Sequence, residues 1–163
     1  MRLAIISDTH LPKGRRVLPA ACLERLAAAD AILHCGDFNA RSVYDDLLRI
    51  GPPIHAVHGN VDPPDLRGML PETLEIELAG VRVAMLHDSG PAAGRMKRMR
   101  RRFPYAGLVV FGHSHLPLLQ TGPDGMTLLN PGSPTERRRA PRHTMAQADV
   151  ADGSVVCELI ARD

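Results

Sequence analysis

A chain of 163 residues fits one domain, residues 1–163, of the usual span of roughly 100–200 residues, and it is long enough to bury about 70% of its unfolded surface. An apolar share of 44% is ordinary for a globular protein, a 3% aromatic share without Trp leaves packing to aliphatic and Met side chains, and a net charge of +2 argues against nucleic-acid binding by the whole surface. Three widely spaced cysteines (Cys22, Cys35 and Cys157), with no CxxC pair, exclude a disulfide framework and fit a reducing cytosol.

The apolar start ends at Asp8, short of a signal h-region and far below the ~20 residues of a membrane span, so the cytoplasm is the expected compartment and no membrane partner is expected. Residues 2–6 read as a buried strand, followed by a helix over 19–29 with Leu23 and Leu26 at helical spacing. Residues 31–35 form the next strand, and 41–50 the next helix, which Gly51, Pro52 and Pro53 close. Strands follow at 54–58, 81–87 and 108–112. Hairpins turn at Ala79-Gly80, at Asp124-Gly125 and, with the strongest signal, at Asp152-Gly153. Met96, Met99 and Phe103 space an amphipathic helix with a basic face across 95–102. Strand–helix alternation followed by hairpins predicts an α/β domain, either one mixed sheet or two sheets packed as a sandwich.

The chemistry-bearing residues fall at strand ends. Asp8 and His10 follow the first strand, Asp37 the second and Asn60 the third; His87 ends the fourth, and His113 and His115 follow the fifth. Loops at the carboxyl ends of parallel strands share one rim, so these side chains converge. Gly36, Gly59 and Gly112 each stand just before a candidate ligand, where the backbone must come close. Carboxylate, amide oxygen and imidazole together suit Mn, Fe, Zn or Ni. Seven ligands exceed the needs of one ion, whereas two ions sharing Asp37 would use them all. Cys35 points away if Asp37 points in.

The series Ser7-Asp8-Thr9-His10, Gly36-Asp37, Gly59-Asn60, His87 and Gly112-His113-Ser114-His115 resembles the calcineurin-like metallophosphoesterase superfamily. The short length, Gly59-Asn60-Val61-Asp62 and Asn130-Pro131-Gly132-Ser133 resemble its small prokaryotic phosphodiesterase branch. The resemblance implies a β-sandwich flanked by helices and a dinuclear centre of divalent transition metals, Mn first. One ion would take Asp8, His10, Asp37 and His115, and the other Asp37, Asn60, His87 and His113. It further implies a bridging hydroxide that attacks phosphorus, Asp37, Asn60 and His113 at the reaction itself, a small phosphodiester as partner and a homodimer or higher assembly.

Two departures stand out. Many superfamily members carry His after the Gly-Asn pair, whereas here Val61 can transfer no proton, which favours diesters with good leaving groups. Asp62 remains without that partner and reads as a supporting residue behind the ligands. Asp88 replaces the usual Gly after the metal His, either orienting His87 or repelling substrate. Behind the ligands, His34 reads as a supporting or core residue. His58 has two readings, a phosphate contact or a structural histidine. Arg137 heads a basic run beside the Asn-Pro-Gly-Ser turn, where an arginine could bind phosphate. The basic run 95–102 lacks the interleaved aromatics of a base-stacking surface, against a nucleic-acid partner. The rival functions are a phosphomonoesterase and a protein-interaction scaffold like the retromer subunit of this fold.

Overall fold

The computed structural model describes residues 1–162, and two five-stranded mixed sheets pack face to face within it. The chain runs β1 (Arg2–Ile6), α1 (Ala20–Ala27), β2 (Ala31–His34), α2 (Arg41–Leu48), β3 (Ile54–Ala56), α3 (Pro64–Met69), β4 (Thr73–Leu78) and β5 (Val81–Leu86). It continues through α4 (Arg95–Arg102), β6 (Leu108–Val110), β7 (Leu118–Thr121), β8 (Thr127–Asn130), β9 (His143–Ala151) and β10 (Ser154–Arg162). The first sheet has the order β10-β9-β1-β2-β3 and the second β4-β5-β6-β8-β7.

This is the sandwich alternative, and the side-chain period of two explains it. Leu3 and Ile5 of β1, Leu33 of β2, Val83 and Met85 of β5, and Leu108 and Val110 of β6 fill the space between the sheets. Ala4 and Ile6 point the other way and meet Cys22 and Leu26 of α1, Val43 and Leu47 of α2, and Leu66 of α3. Ala84, Leu86 and Val109 on the outer face of the second sheet meet Met99 and Phe103 of α4. Strands covered on both faces must be apolar throughout, hence the unbroken runs. Each large side chain fully buried this way contributes roughly 1.5–3 kcal/mol.

Register brings the site together. In the first sheet Ile6 lies beside His34, and His34 beside Ala56, all in parallel strands. In the second, Met85 lies beside Val110 and Val110 beside Leu129, again in parallel. The carboxyl ends of β1, β2 and β3 therefore open onto the same rim as those of β5, β6 and β8.

Every expected strand and helix forms, with ends shifted by up to two residues. The helix absent from the sequence reading is α3. Six residues are too few to show a helical period, and Pro63-Pro64 reads as a turn although Pro suits the first helical turn. Among the described residues no helix is long and apolar enough to cross a membrane.

Candidate metal centre

The rim loops leave their strands by abrupt left-handed turns. Asp8, His10, Asp37, Asn39, His113 and His115 all have positive φ, between 45° and 82°. Asp, Asn and His enter this region more readily than other non-glycine residues, yet each such position costs of the order of 1–3 kcal/mol. Main-chain bonds zip the first two loops together, Asp8 N–H to the Gly36 carbonyl (3.0 Å) and His10 N–H to that of Asp37 (3.0 Å). Asp8 also accepts the N–H of His113 (3.0 Å), tying the first sheet to the second. Close approach explains two glycines. A Cβ at Gly59 would stand 2.0 Å from the Asp37 carboxylate, and one at Gly112 would stand 1.9 Å from the Ser7 hydroxyl.

All seven expected ligands converge, in two groups. Asp8, His10 and His115 form the first and Asp37, His87 and His113 the second. His10 Nε2 lies 3.2 Å from His115 Nε2, which lies 3.4 Å from Asp8 Oδ1. In the second group Asn60 Oδ1 stands 3.0 Å from both His87 Nε2 and His113 Nδ1. Asp37 Oδ2 lies between the groups, 3.2 Å from His87 Nε2 and 3.6 Å from His10 Nε2. Asp8 and His115 are fully buried, and His10, Asp37 and His87 nearly so.

The far ring nitrogens show what this cluster is short of. His10 Nδ1 faces Asn39 Oδ1 (3.0 Å), His87 Nδ1 faces the Cys35 carbonyl (2.7 Å) and His115 Nδ1 faces the Glu136 carbonyl. Each of these Nδ1 atoms must carry its proton to donate, which leaves Nε2 a bare lone pair. Three such lone pairs meet carboxylate and amide oxygens, which are acceptors as well. Acceptors packed together in a buried site repel unless a cation lies among them, and the nitrogen–oxygen mixture fits transition-metal ions. Without a cation a proton gives partial relief. Burial opposes charge on His87, but its hydrogen bond to Asp37 and the Asp8 and Asp37 charges raise its pKa above the ordinary imidazole value. Burial likewise opposes ionisation of Asp37, but His87, the Val61 N–H (3.0 Å) and His10 hold its carboxyl below the usual range.

Residues 1–153 match the calcineurin-like phosphoesterase superfamily domain. The chain belongs to that superfamily. This metallophosphoesterase is 31% identical over 155 residues to a "Probable metallophosphoesterase" of Methanocaldococcus jannaschii, covering 93% of this chain and 77% of the relative. Its fold is similar to that of wild-type Vps29 complexed with zinc from Entamoeba histolytica (TM-score 0.78, 23% identity, 99% of each chain). It is also similar to a structure described as a novel archaeal phosphodiesterase (TM-score 0.74, 19% identity, 98% of this chain and 100% of that one).

Around the metallophosphoesterase ligands the supporting residues take definite places. His34 is buried, with Nδ1 accepting the Gly36 N–H (3.1 Å), so that Nε2 donates to the Thr9 hydroxyl (3.1 Å). Burial and the neighbouring His87 push its pKa down to about 3, so it is a neutral brace. Cys35 points into the sandwich, away from the rim, and burial and Asp8 raise its thiol pKa. Asp62 turns inward and accepts the N–H groups of Asp37, Phe38, Asn39 and Gly59.

Two expectations need correcting. Asp88 does not orient His87, whose Nδ1 is already held by Cys35; instead Asp88 accepts the Gly90 N–H (2.7 Å) and lies 3.9 Å from His113 Nε2. Arg137 folds back onto the Ala140 and Pro141 carbonyls, and it is Arg138 that reaches a ligand loop, at the His113 carbonyl (3.4 Å).

His58 lines a cavity of about 420 Å³ beside Asn60 and His87. Arg67 and Arg102 line it too, and sequence reasoning assigned neither. Arg67 hydrogen-bonds the Asp62 carbonyl (2.7 Å) and that of Asn60. It sits on the unread α3, while Arg102 was hidden within a basic run. Asn130, within a turn the sequence reading did single out, holds the Gly112 carbonyl (2.9 Å).

Proposed function

We propose that the protein is a metal-dependent phosphodiesterase with a dinuclear centre, Mn being the first candidate and Fe, Zn or Ni the others. The observation that carries this reading is Asp37 Oδ2, within 3.6 Å of a ring nitrogen in each of the two ligand groups. Two divalent ions, when bound, supply a water of lowered pKa and positive charge for the phosphoryl oxygens. The chain's own part is to hold seven ligand atoms in place through the Asp62, Arg67 and Asn130 braces, at little reorganisation cost. His58 and Arg138 border the centre and are the side chains we assign to the substrate phosphate.

Diesters are favoured because no imidazole follows Asn60. Val61 is 45% exposed at that point and has no proton to give a departing alkoxide. The phosphodiesterase among the similar folds supports the same choice. Mostly buried cysteines outside any disulfide support a reducing, cytoplasmic setting. The test is comparative hydrolysis of bis(p-nitrophenyl) phosphate and p-nitrophenyl phosphate with Mn²⁺, Ni²⁺ or Zn²⁺, alongside metal analysis of the purified protein. We expect the diester to be preferred and Asp37→Asn to lower its turnover more than about a hundredfold. Preference for the monoester would overturn the diesterase reading.

The likeness to Vps29 supports a second reading, a non-catalytic interaction scaffold. A protein without transition metal, unaltered by Asp37→Asn, would favour it. The complete ligand set favours catalysis.

A further inference from the structure

The cavity of about 420 Å³ is lined by Asn60 and His87 beside the second ligand group and by residues that belong to neither ligand group. That volume lies within the usual range of small-molecule sites, about 300–1,000 Å³, and exceeds what a phosphoryl group alone needs. Its walls carry Arg67, Arg102, His58, Glu72, Thr73 and Asp88. Arg67 is fixed before any ligand arrives. Its Nε and one Nη are committed to the carbonyls of Asp62 and Asn60, and the other Nη remains free to donate. Arg102, at the end of α4, has no ion-pair partner among the described residues; its guanidinium only overlies the Phe103 ring, 5.5 Å from the centroid.

The acidic lining is differently placed. Asp88 spends one oxygen on the Gly90 N–H and turns the other towards His113. Glu72 has no ion-pair or hydrogen-bond partner among the described residues, so Arg102 and Glu72 do not neutralise each other although they line one cavity. An arm that uses both must offer an anion to the guanidinium and hydroxyl or amino donors to the carboxylate. A nucleoside carrying a phosphate has both.

Resting on the diesterase reading, we infer that the substrate is a phosphodiester with one nucleotide arm bearing a second phosphate, held in this cavity by Arg67 and Arg102. The arginines thereby set specificity rather than acting on the reacting phosphorus. Arg67 is held in place with one Nη free for a phosphate oxygen, and Arg102 supplies a second charge.

Calorimetric titration of the Mn²⁺-supplied protein with thymidine 3′,5′-bisphosphate and thymidine 5′-monophosphate tests this without turnover. The bisphosphate should bind about tenfold tighter, as one charge-assisted contact allows. That ratio should fall towards one in Arg102→Leu, partly return in Arg102→Lys, and rise in Glu72→Gln. The matching esters, thymidine 3′-phosphate 5′-(p-nitrophenyl phosphate) and thymidine 5′-(p-nitrophenyl phosphate), should show the same preference in kcat/KM. Equal binding, or a preference that survives Arg102→Leu, overturns the inference. Cleavage of both esters at equal efficiency overturns it and leaves the diesterase reading intact. A bisphosphate preference without cleavage of either ester overturns the diesterase reading and leaves only the bisphosphate-binding cavity standing.

Discussion

Asp62 shows how one carboxylate can organise a site without touching it. At 3% exposure it accepts four main-chain N–H groups, from both the Asp37 and the Gly59 loops, so two metal-ligand loops share one anchor. An amide in its place can accept with only one end, and its NH₂ would face two of those donors. We expect Asp62→Asn to destabilise the protein by roughly 2–4 kcal/mol, the cost of leaving two buried donors unpaired. It should also weaken metal binding by about 10–100-fold. Urea unfolding and calorimetric metal titration measure the two effects; unchanged metal affinity would refute the anchoring role. Val61 next door makes the opposite case. Val61→His should accelerate diesters with poor leaving groups more than activated ones, read as the slope of log kcat against leaving-group pKa. An equal gain on all leaving groups would count against a missing proton donor.

At the level of elements, the legibility of this chain follows from burial. Strands β1, β2, β5 and β6 are covered on both faces, so their apolar runs were plain, and the residues just beyond them carried the site. Whether those strands formed one sheet or two was not readable, because pairing partners are set by packing at long range. The second sheet closes through β6 beside β8, which are 16 residues apart from Val110 to Thr127. The ligands were legible because each needed its own chemistry, and His34 was legible as a support beside them, whereas Arg67 was not. Arg67 looks like any surface arginine until α3 is known to carry it under the Asn60 loop. The helix is short and unremarkable in sequence, yet Arg67 is its connection to the centre. We therefore expect Arg67→Met to lower metal affinity several-fold with little change in the far-ultraviolet circular dichroism spectrum, because the side chain lies at the surface and fills no core space. Loss of the fold instead would show that α3 is held by the arginine, not the reverse.

For the whole molecule, protons and metals compete, and His34 sets part of the stability on the acid side. The folded state keeps this imidazole neutral down to about pH 3, through burial first and the neighbouring His87 second. The unfolded chain protonates it near pH 6.5. Between those values the unfolded state binds the extra proton, so stability rises with pH and is progressively lost as pH falls from roughly 6.5 towards 3. His87 works in the other direction in the metal-free protein: its pKa is raised, so its pairing with Asp37 stabilises fully below the unfolded value and fades as pH rises through the folded one. Asp37, with its pKa lowered, keeps its share above the ordinary carboxylate range and loses it on further acidification. A metal ion needs His87 neutral, so metal-induced stabilisation should grow with pH just where the proton's contribution fades. His34→Gln separates the first effect from the other two, because the amide can accept from Gly36 and donate to Thr9 but does not titrate. In metal-free protein, urea midpoints taken from pH 7.5 to 4.5 should fall more steeply for the wild type than for His34→Gln. Parallel slopes would mean that His34 escapes burial before the chain unfolds, leaving acid sensitivity to the ligands themselves.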